Sequence, residues 1–142
     1  MLSLPTLADT EALGAEIAAQ LRPGDAVLLE GPLGAGKSAL ARAILRTLTG
    51  DPWLDVPSPS YTLVQGYETP AGFVQHFDLW RLDGPGALAE LGWEDALDGI
   101  ALVEWPDRLG PLTPPGALHV TLMPDTEGEG RVAMLRGWEG RL

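Results

Sequence analysis

The sequence has no cysteine, a single lysine, two histidines and no long apolar run. Without cysteine the chain can form no disulfide, thiolate nucleophile or zinc–thiolate site. With only two histidines in the sequence, a histidine-based metal cluster is not expected. No apolar run approaches the roughly 20 residues that span a bilayer, and the first residues carry neither a basic region nor an apolar signal core. We therefore expect a cytoplasmic protein.

Basic residues are few in comparison with acidic ones. Twenty carboxylates stand against nine lysines and arginines, which gives a net charge of −11. Such a surface repels a phosphate backbone and argues against autonomous nucleic-acid binding. A nucleic-acid role would need a partner or a local arginine cluster, and solubility is the simpler interpretation of the excess charge.

The single lysine lies in a phosphate-binding pattern. Residues 31–38 read Gly-Pro-Leu-Gly-Ala-Gly-Lys-Ser, which fits G-x-x-x-x-G-K-[ST] between an apolar run and a helical pattern. Strand, glycine loop and helix are the context in which this motif binds phosphate. Lys37 would meet the β- and γ-phosphates, and Ser38 would offer a hydroxyl to Mg²⁺. An ordinary glycine-rich turn of an α/β protein is the alternative.

Apolar spacing predicts the elements around this loop. Helices are predicted over 9–21, capped by Asp9 or Thr10, and over 39–48. A third helical pattern over 86–97 is interrupted at Gly92. Strand patterns cover six segments, two of which should form an antiparallel hairpin: 26–30, 61–67, 73–80, 100–104, 118–123 and 131–135.

At 142 residues the chain predicts one domain, residues 1–142. Parallel-type strands joined by helical crossovers indicate an α/β fold. We expect a P-loop NTPase-like domain with a mixed, largely parallel central sheet, an antiparallel hairpin and flanking helices.

Two carboxylates are placed to complete a hydrolytic site. Glu104 follows four apolar residues, where a strand neighbouring the P-loop strand would end, as a metal-organising acid does. In the predicted strand over 73–80, His76, Asp78 and Trp80 share one face. Asp78 could position a water, with Arg81 as a phosphate contact. The alternatives are a surface glutamate and an exposed Asp78–Arg81 pair.

The loop over 58–61 has two interpretations. Ser58 and Ser60 are hydroxyl residues braced by proline after the P-loop helix. Such a segment resembles a switch loop that orders when its hydroxyl reaches Mg²⁺ or the γ-phosphate. From composition alone, a plain Ser–Pro turn is the simpler interpretation.

The scarcity of lysine and of suitably placed arginine limits which nucleotide and which reaction the chain can be expected to serve. A Ras-type GTPase reads guanine with N/T-K-x-D, and no second lysine exists to build that segment. ATP is therefore the expected nucleotide. A small-molecule kinase is the alternative enzyme, although it would need an arginine-bearing lid, for which only Arg81 and Arg108 are placed. A binding module with incidental hydrolysis is the third class.

Taken together, the motifs resemble those of the TsaE family (formerly YjeE). The matching segments occur in the family's order and cover most of residues 10–109: 23–25, 33–38, 58–64, 76–81, 90–92 and 104–106. This combination is far more selective than the P-loop alone.

The resemblance implies an ATPase that acts with TsaB and TsaD in threonylcarbamoyl modification of tRNA adenosine 37. TsaD would transfer the group, and this subunit would hydrolyse ATP to support turnover. The implied cofactors are ATP or ADP and Mg²⁺, with Ser38 and Glu104 as metal ligands and Glu104, Asp78 and Lys37 as catalytic residues. The implied nucleotide-binding residues are Gly31, Leu33, Gly34, Ala35, Gly36, Lys37, Ser38, Ala39, Ser60, Arg81 and Trp105.

The sequence departs from the family pattern at four positions. Ser38 and Ser60 stand where threonine is usual, and both keep a hydroxyl. Pro32 replaces a common aspartate and Trp80 a common tyrosine. None of these changes removes a group that the implied chemistry requires.

The first prediction concerns the single lysine. Lys37→Ala should abolish nucleotide binding, because it removes the charge that faces the phosphates. Calorimetric titration with ADP measures this, and Arg42→Ala is the control because it removes a cation from the polar face of the same predicted helix. Unchanged ADP affinity in Lys37→Ala would contradict the phosphate-site interpretation.

Overall fold

The computed structural model describes residues 1–59, 62–128 and 130–142. Seven strands are present in the described chain: β1 (Leu2–Leu4), β2 (Ala26–Glu30), β3 (Val64–Thr69), β4 (Gly72–Asp78), β5 (Ile100–Glu104), β6 (Leu118–Pro124) and β7 (Arg131–Arg136). Three α-helices and two 3-10 helices accompany them: α1 (Leu7–Gln20), α2 (Lys37–Thr49), α3 (Trp93–Ala96), Pro85–Leu91 and Pro106–Leu112. Among the described residues, no helix is long and apolar enough to cross a bilayer.

The strands form one mixed sheet in the order β1-β7-β6-β2-β5-β4-β3. The four central strands, β6, β2, β5 and β4, pair in parallel. The outer pairs are antiparallel, including the β3–β4 hairpin. The predicted α/β fold with a largely parallel centre, an antiparallel hairpin and flanking helices is therefore confirmed.

The central strands are covered on both faces, which is why they read as continuous apolar runs. In β2, Val27 and Leu29 pack with α1 and α2, whereas Ala26 and Leu28 pack against the other layer. That second layer contains α3 and both 3-10 helices. Alternation along β5 leaves Glu104 on the same face as Leu102, the face that α1 and α2 cover.

Helices α1 and α2 pack closely because Gly14 has no side chain. A Cβ on Gly14 would lie 2.6 Å from the Cβ of Ala43, closer than side chains tolerate. The predicted cap of α1 was wrong. Thr6 caps the helix, and Asp9 completes a capping box from within the first turn, because the hydroxyl and carboxylate satisfy each other's backbone N–H groups.

Three segments differ from what their sequence indicated. β1 forms three pairs with β7, although its short sequence carries no strand pattern. The proline-rich segment after β5 begins with a 3-10 helix at Pro106. The predicted helix over 86–97 is interrupted at Gly92 as expected, but its first half is 3-10 rather than α-helical.

Arg141 ties the end of the described chain to the turn before β2. Its guanidinium makes two hydrogen bonds to the carboxylate of Asp25, at 3.0 and 2.7 Å. The guanidinium also lies 3.9 Å from the ring centroid of Trp138. Burial acts to raise the pKa of Asp25, but the hydrogen bonds from Arg141 and the Arg22 backbone outweigh it and hold the pKa below its usual value.

Arg141→Ala should lower the free energy of unfolding by about 1–2 kcal/mol at neutral pH. Because the pKa of Asp25 is lowered in the folded chain, this stabilisation is present above the usual aspartate value of 3.8 and is lost as the pH falls below it. Urea unfolding from pH 7 to pH 3 measures the difference from wild type, with Arg136→Ala as the control. A difference that stays constant to pH 3 would contradict the role of Asp25.

Candidate functional site

The glycine loop joins β2 to α2 and relies on left-handed backbone conformations. Gly31 and Gly36 have φ values of 144° and 100°, and Gly36 is the residue that precedes the first turn of α2. Side chains disfavour both conformations, so glycine at these positions lets the loop curl over the helix N-terminus. The N–H groups at that end are the donors that bind phosphate in such loops.

The ends of three central strands bring the predicted carboxylates to this loop. In the sheet register, Leu29 of β2 lies opposite Glu104 of β5, and Glu104 lies opposite Asp78 of β4. Because the strands are parallel, their carboxyl ends meet at one edge, where open α/β sheets bind ligands. The predicted placement of Glu104 beside the P-loop is confirmed.

A cleft of about 300 Å³ lies at this edge. Most residues predicted for the site line it. The lining residues are Leu33, Gly34, Gly36, Lys37, Ser38, Ala39, Ser58, Asp78, Glu104 and Trp105. Three of the predicted residues in the described chain do not line it: Gly31, Ala35 and Arg81. Ala35 is part of the loop and is fully buried. The predicted residue Ser60 lies outside the described residues.

Glu104 is the buried centre of the cleft's polar contacts. Its side chain is 3% exposed, and each carboxylate oxygen has its own partner. Ser38 Oγ donates to Oε1 at 3.0 Å, and His76 Nε2 lies 2.7 Å from Oε2. Ser38 and Glu104, the two predicted metal ligands, thus lie within hydrogen-bond distance of each other. His76 was given no role from the sequence, although its period-two spacing from Asp78 was the available signal.

Lys37 is folded back on its own loop. Its ammonium donates to the carbonyl oxygens of Gly31 and Pro32 and lies 4.1 Å from the ring centroid of Trp105. Burial lowers the pKa of Lys37, although the carboxylates of Glu104 and Asp78 act to raise it. The cation is therefore held at the cleft by weak neutral acceptors and an aromatic face.

Trp105 forms the aromatic wall of the cleft. Its backbone is left-handed, with φ of 60°, a strained conformation for a bulky side chain. Its ring packs on that of Trp80 with centroids 4.4 Å apart. Arg108 donates to the carbonyl oxygen of Trp80 at 3.4 Å, which links the second 3-10 helix to the segment after β4. Arg81, the residue after Trp80, is exposed.

Asp78 is the second buried carboxylate at the cleft. It ends β4, is 5% exposed, and its Oδ1 accepts a hydrogen bond from the Trp80 backbone N–H at 3.1 Å. Its own N–H donates to the carbonyl oxygen of Leu63, across the hairpin. This backbone pairing fixes the carboxylate at the edge of the cleft, beside Glu104.

A second, smaller cleft adjoins the first. It measures about 150 Å³ and shares Gly36 and Ala39 with the first cleft. Its other walls come from the end of β1, the start of α1 and the start of β7: Leu4, Pro5, Thr6, Leu7, Thr10, Gly130 and Arg131. Sequence reasoning missed this cleft because its walls lie more than 100 positions apart and carry no local motif.

The donor set at the first cleft fits Mg²⁺. Ser38 and Glu104 supply hard oxygen atoms within hydrogen-bond distance of each other. Magnesium in nucleotide sites commonly takes one or two protein oxygens, with phosphates and water completing its shell. The residues present therefore suit a metal that arrives with a nucleotide.

Comparison with known proteins identifies relatives over most of the chain. The sequence model of "Threonylcarbamoyl adenosine biosynthesis protein TsaE" matches residues 4–132. The tRNA threonylcarbamoyladenosine biosynthesis protein TsaE of Rickettsia felis is 38% identical over 123 residues, which are 86% of this chain and 71% of the relative. The Rickettsia prowazekii protein of that name is 36% identical and covers 86% and 85%, and that of Synechocystis is 39% identical and covers 75% and 69%.

A solved structure has the same fold. The crystal structure of YdiB from Bacillus subtilis superposes with a TM-score of 0.74 at 23% identity and covers 97% of this chain and 85% of that one. At this level of identity the likeness supports the fold alone.

Proposed function

The chain belongs to the TsaE family, and from that premise we propose that it is a Mg²⁺-dependent ATP hydrolase acting with TsaB and TsaD. The reaction it would support is threonylcarbamoyl modification of tRNA adenosine 37, in the cytoplasm. Involvement in tRNA threonylcarbamoyladenosine biosynthesis follows from the family. The hydrolytic role is supported by one observation above all: Lys37, Ser38, Asp78 and Glu104 line a single cleft at the P-loop.

Phosphate binding would fall to the glycine loop and Lys37. The loop N–H groups and the first turn of α2 supply donors. Lys37 would exchange the carbonyls of Gly31 and Pro32, which it contacts here, for phosphate oxygens. A neutral acceptor is weaker than an anionic one, so this exchange favours the bound nucleotide.

Bound Mg²⁺ would act as a Lewis acid on the phosphates. Ser38 and Glu104 would hold it through Oγ and Oε1, the two atoms that now contact each other. Asp78 would accept a hydrogen bond from the attacking water, because it is the neighbouring carboxylate across the β4–β5 register. Trp105 would cover the phosphates with an apolar wall.

The adjoining cleft suits the nucleoside. It shares Gly36 and Ala39 with the phosphate cleft, so a molecule that extends from one to the other passes over the start of α2. Its lining joins apolar surface from Leu7 to hydroxyls of Thr6 and Thr10. A purine and ribose need that combination of stacking surface and a few hydrogen-bonding groups.

The small-molecule kinase alternative gains no support from the cleft. Arg81 is exposed outside the cleft lining, and Arg108 is joined to the carbonyl of Trp80. The net charge of −11 favours a role in which the partner proteins hold the tRNA, because a phosphate backbone is repelled by an acidic surface.

Glu104→Ala should leave ATP binding within about tenfold of wild type and reduce hydrolysis by about 100-fold, since it removes the charge that organises the metal. The assay measures phosphate release by the chain mixed with purified TsaB and TsaD. Glu104→Gln keeps the shape without the charge and should also fail. Glu68→Ala, an exposed glutamate on edge strand β3, is the control and should hydrolyse normally.

Two results would contradict the proposal. Undiminished turnover in both Glu104 variants would remove that residue from the metal site. Failure of the wild-type chain to bind TsaB and TsaD in a pull-down, whether ATP, ADP or no nucleotide is added, would overturn the assigned partners.

A further inference from the structure

His76 is the one buried histidine in the described chain, and the proposed reaction gives it no part. It is 1% exposed, lies on the face of β4 that α1 and α2 cover, and does not line the cleft. Its ring contacts the cleft lining at Glu104, whose Oε2 is 2.7 Å from Nε2. That carboxylate joins His76 to the cleft.

The surroundings of the other ring nitrogen, Nδ1, indicate which nitrogen of His76 carries the hydrogen. His76 Nδ1 is buried and has no hydrogen-bond partner among the described residues. A buried N–H without an acceptor loses its hydration and gains no hydrogen bond in return, whereas an acceptor left unfilled is tolerated more readily. The arrangement thus favours a hydrogen on Nε2, which donates to Glu104.

This hydrogen bond leaves the two oxygens of the Glu104 carboxylate with different partners. Oε2 is engaged by His76 on the buried side, and Oε1 meets Ser38 on the cleft side. A carboxylate on a flexible side chain could otherwise rotate and present either oxygen. With one oxygen held, the direction of the other is set before any ligand arrives.

We propose that His76 is a positioning residue, whose Nε2–H holds Oε2 of Glu104 so that Oε1 is directed at Ser38 and the metal position. The inference rests on the proposed function, because it assigns His76 to the same site. The role assigned to His76 affects Mg²⁺ binding by the nucleotide-bound chain. Binding of the nucleotide itself depends on the glycine loop and Lys37.

Two substitutions separate a positioning role from a structural one. His76→Leu removes the donor and keeps an apolar side chain in the core. His76→Gln removes the ring but retains an amide N–H that can reach a similar position. His119→Leu is the control, because His119 is the other histidine of the chain, lies on β6 and does not line the cleft.

The measurement is a calorimetric titration of MgCl₂ into each variant saturated with ADP. Affinity for ADP without Mg²⁺ should stay within about threefold of wild type in all variants. The half-saturating Mg²⁺ concentration should rise about 10–100-fold in His76→Leu, the range typical for loss of a group that orients a metal ligand. It should stay near the wild-type value in His76→Gln and His119→Leu.

Nitrogen-detected NMR of the wild-type chain gives a second readout that needs no variant to fold. The inference expects the His76 ring to carry a hydrogen on Nε2, and a ring whose Nε2 carries no hydrogen overturns it. An unchanged Mg²⁺ requirement in His76→Leu, or equal impairment in His76→Gln, also overturns it. A wild-type chain that binds no ADP overturns the proposed function and this inference together, whereas normal wild-type binding with those variant results overturns this inference alone.

Discussion

The site depends on one electrostatic constraint, the burial of the Glu104 carboxylate at the end of a central strand. A buried charge is tolerated only when its oxygens are hydrogen-bonded, and here Ser38 and His76 take one oxygen each. Those partners come from α2 and β4, the elements that flank the site. The requirement to satisfy one carboxylate therefore fixes how the glycine loop, the hairpin and the central strand meet.

A second feature is that the polar groups of the cleft contact one another. Lys37 donates to loop carbonyls and Ser38 donates to Glu104, so both groups are satisfied by contacts that phosphate oxygens and a metal ion could replace. Trp105 has a strained backbone conformation and contacts both Lys37 and Trp80. A movement of Lys37 toward phosphate would therefore change the surroundings of the Trp105 ring. On the proposed function, this links the contents of the cleft to an aromatic surface that a partner protein could contact.

The sequence was most informative where function depends on a local motif. The strand, glycine loop and helix around residues 26–49 are where the pattern predicted them, because backbone conformation there depends on adjacent residues. The cap of α1, strand β1 and the 3-10 helices were missed or misassigned. Three-residue strands and 3-10 turns are stabilised by the elements they pack against, so their own residues carry little signal.

The sequence by itself determined that a glycine loop with the phosphate-binding pattern precedes a helix, that Glu104 ends an apolar strand, and that Asp78 and His76 share a face. These are consequences of chain order and of the two-residue period of a strand. The position of Glu104 beside the loop was also predicted, but only the tertiary structure decided that β4 is the other neighbour of β5, which places Asp78 beside Glu104. It also decided that His76 meets Glu104 and that α1 and β7 form a second cleft. Contacts across such distances in the chain are set by packing and strand order, which no local pattern encodes.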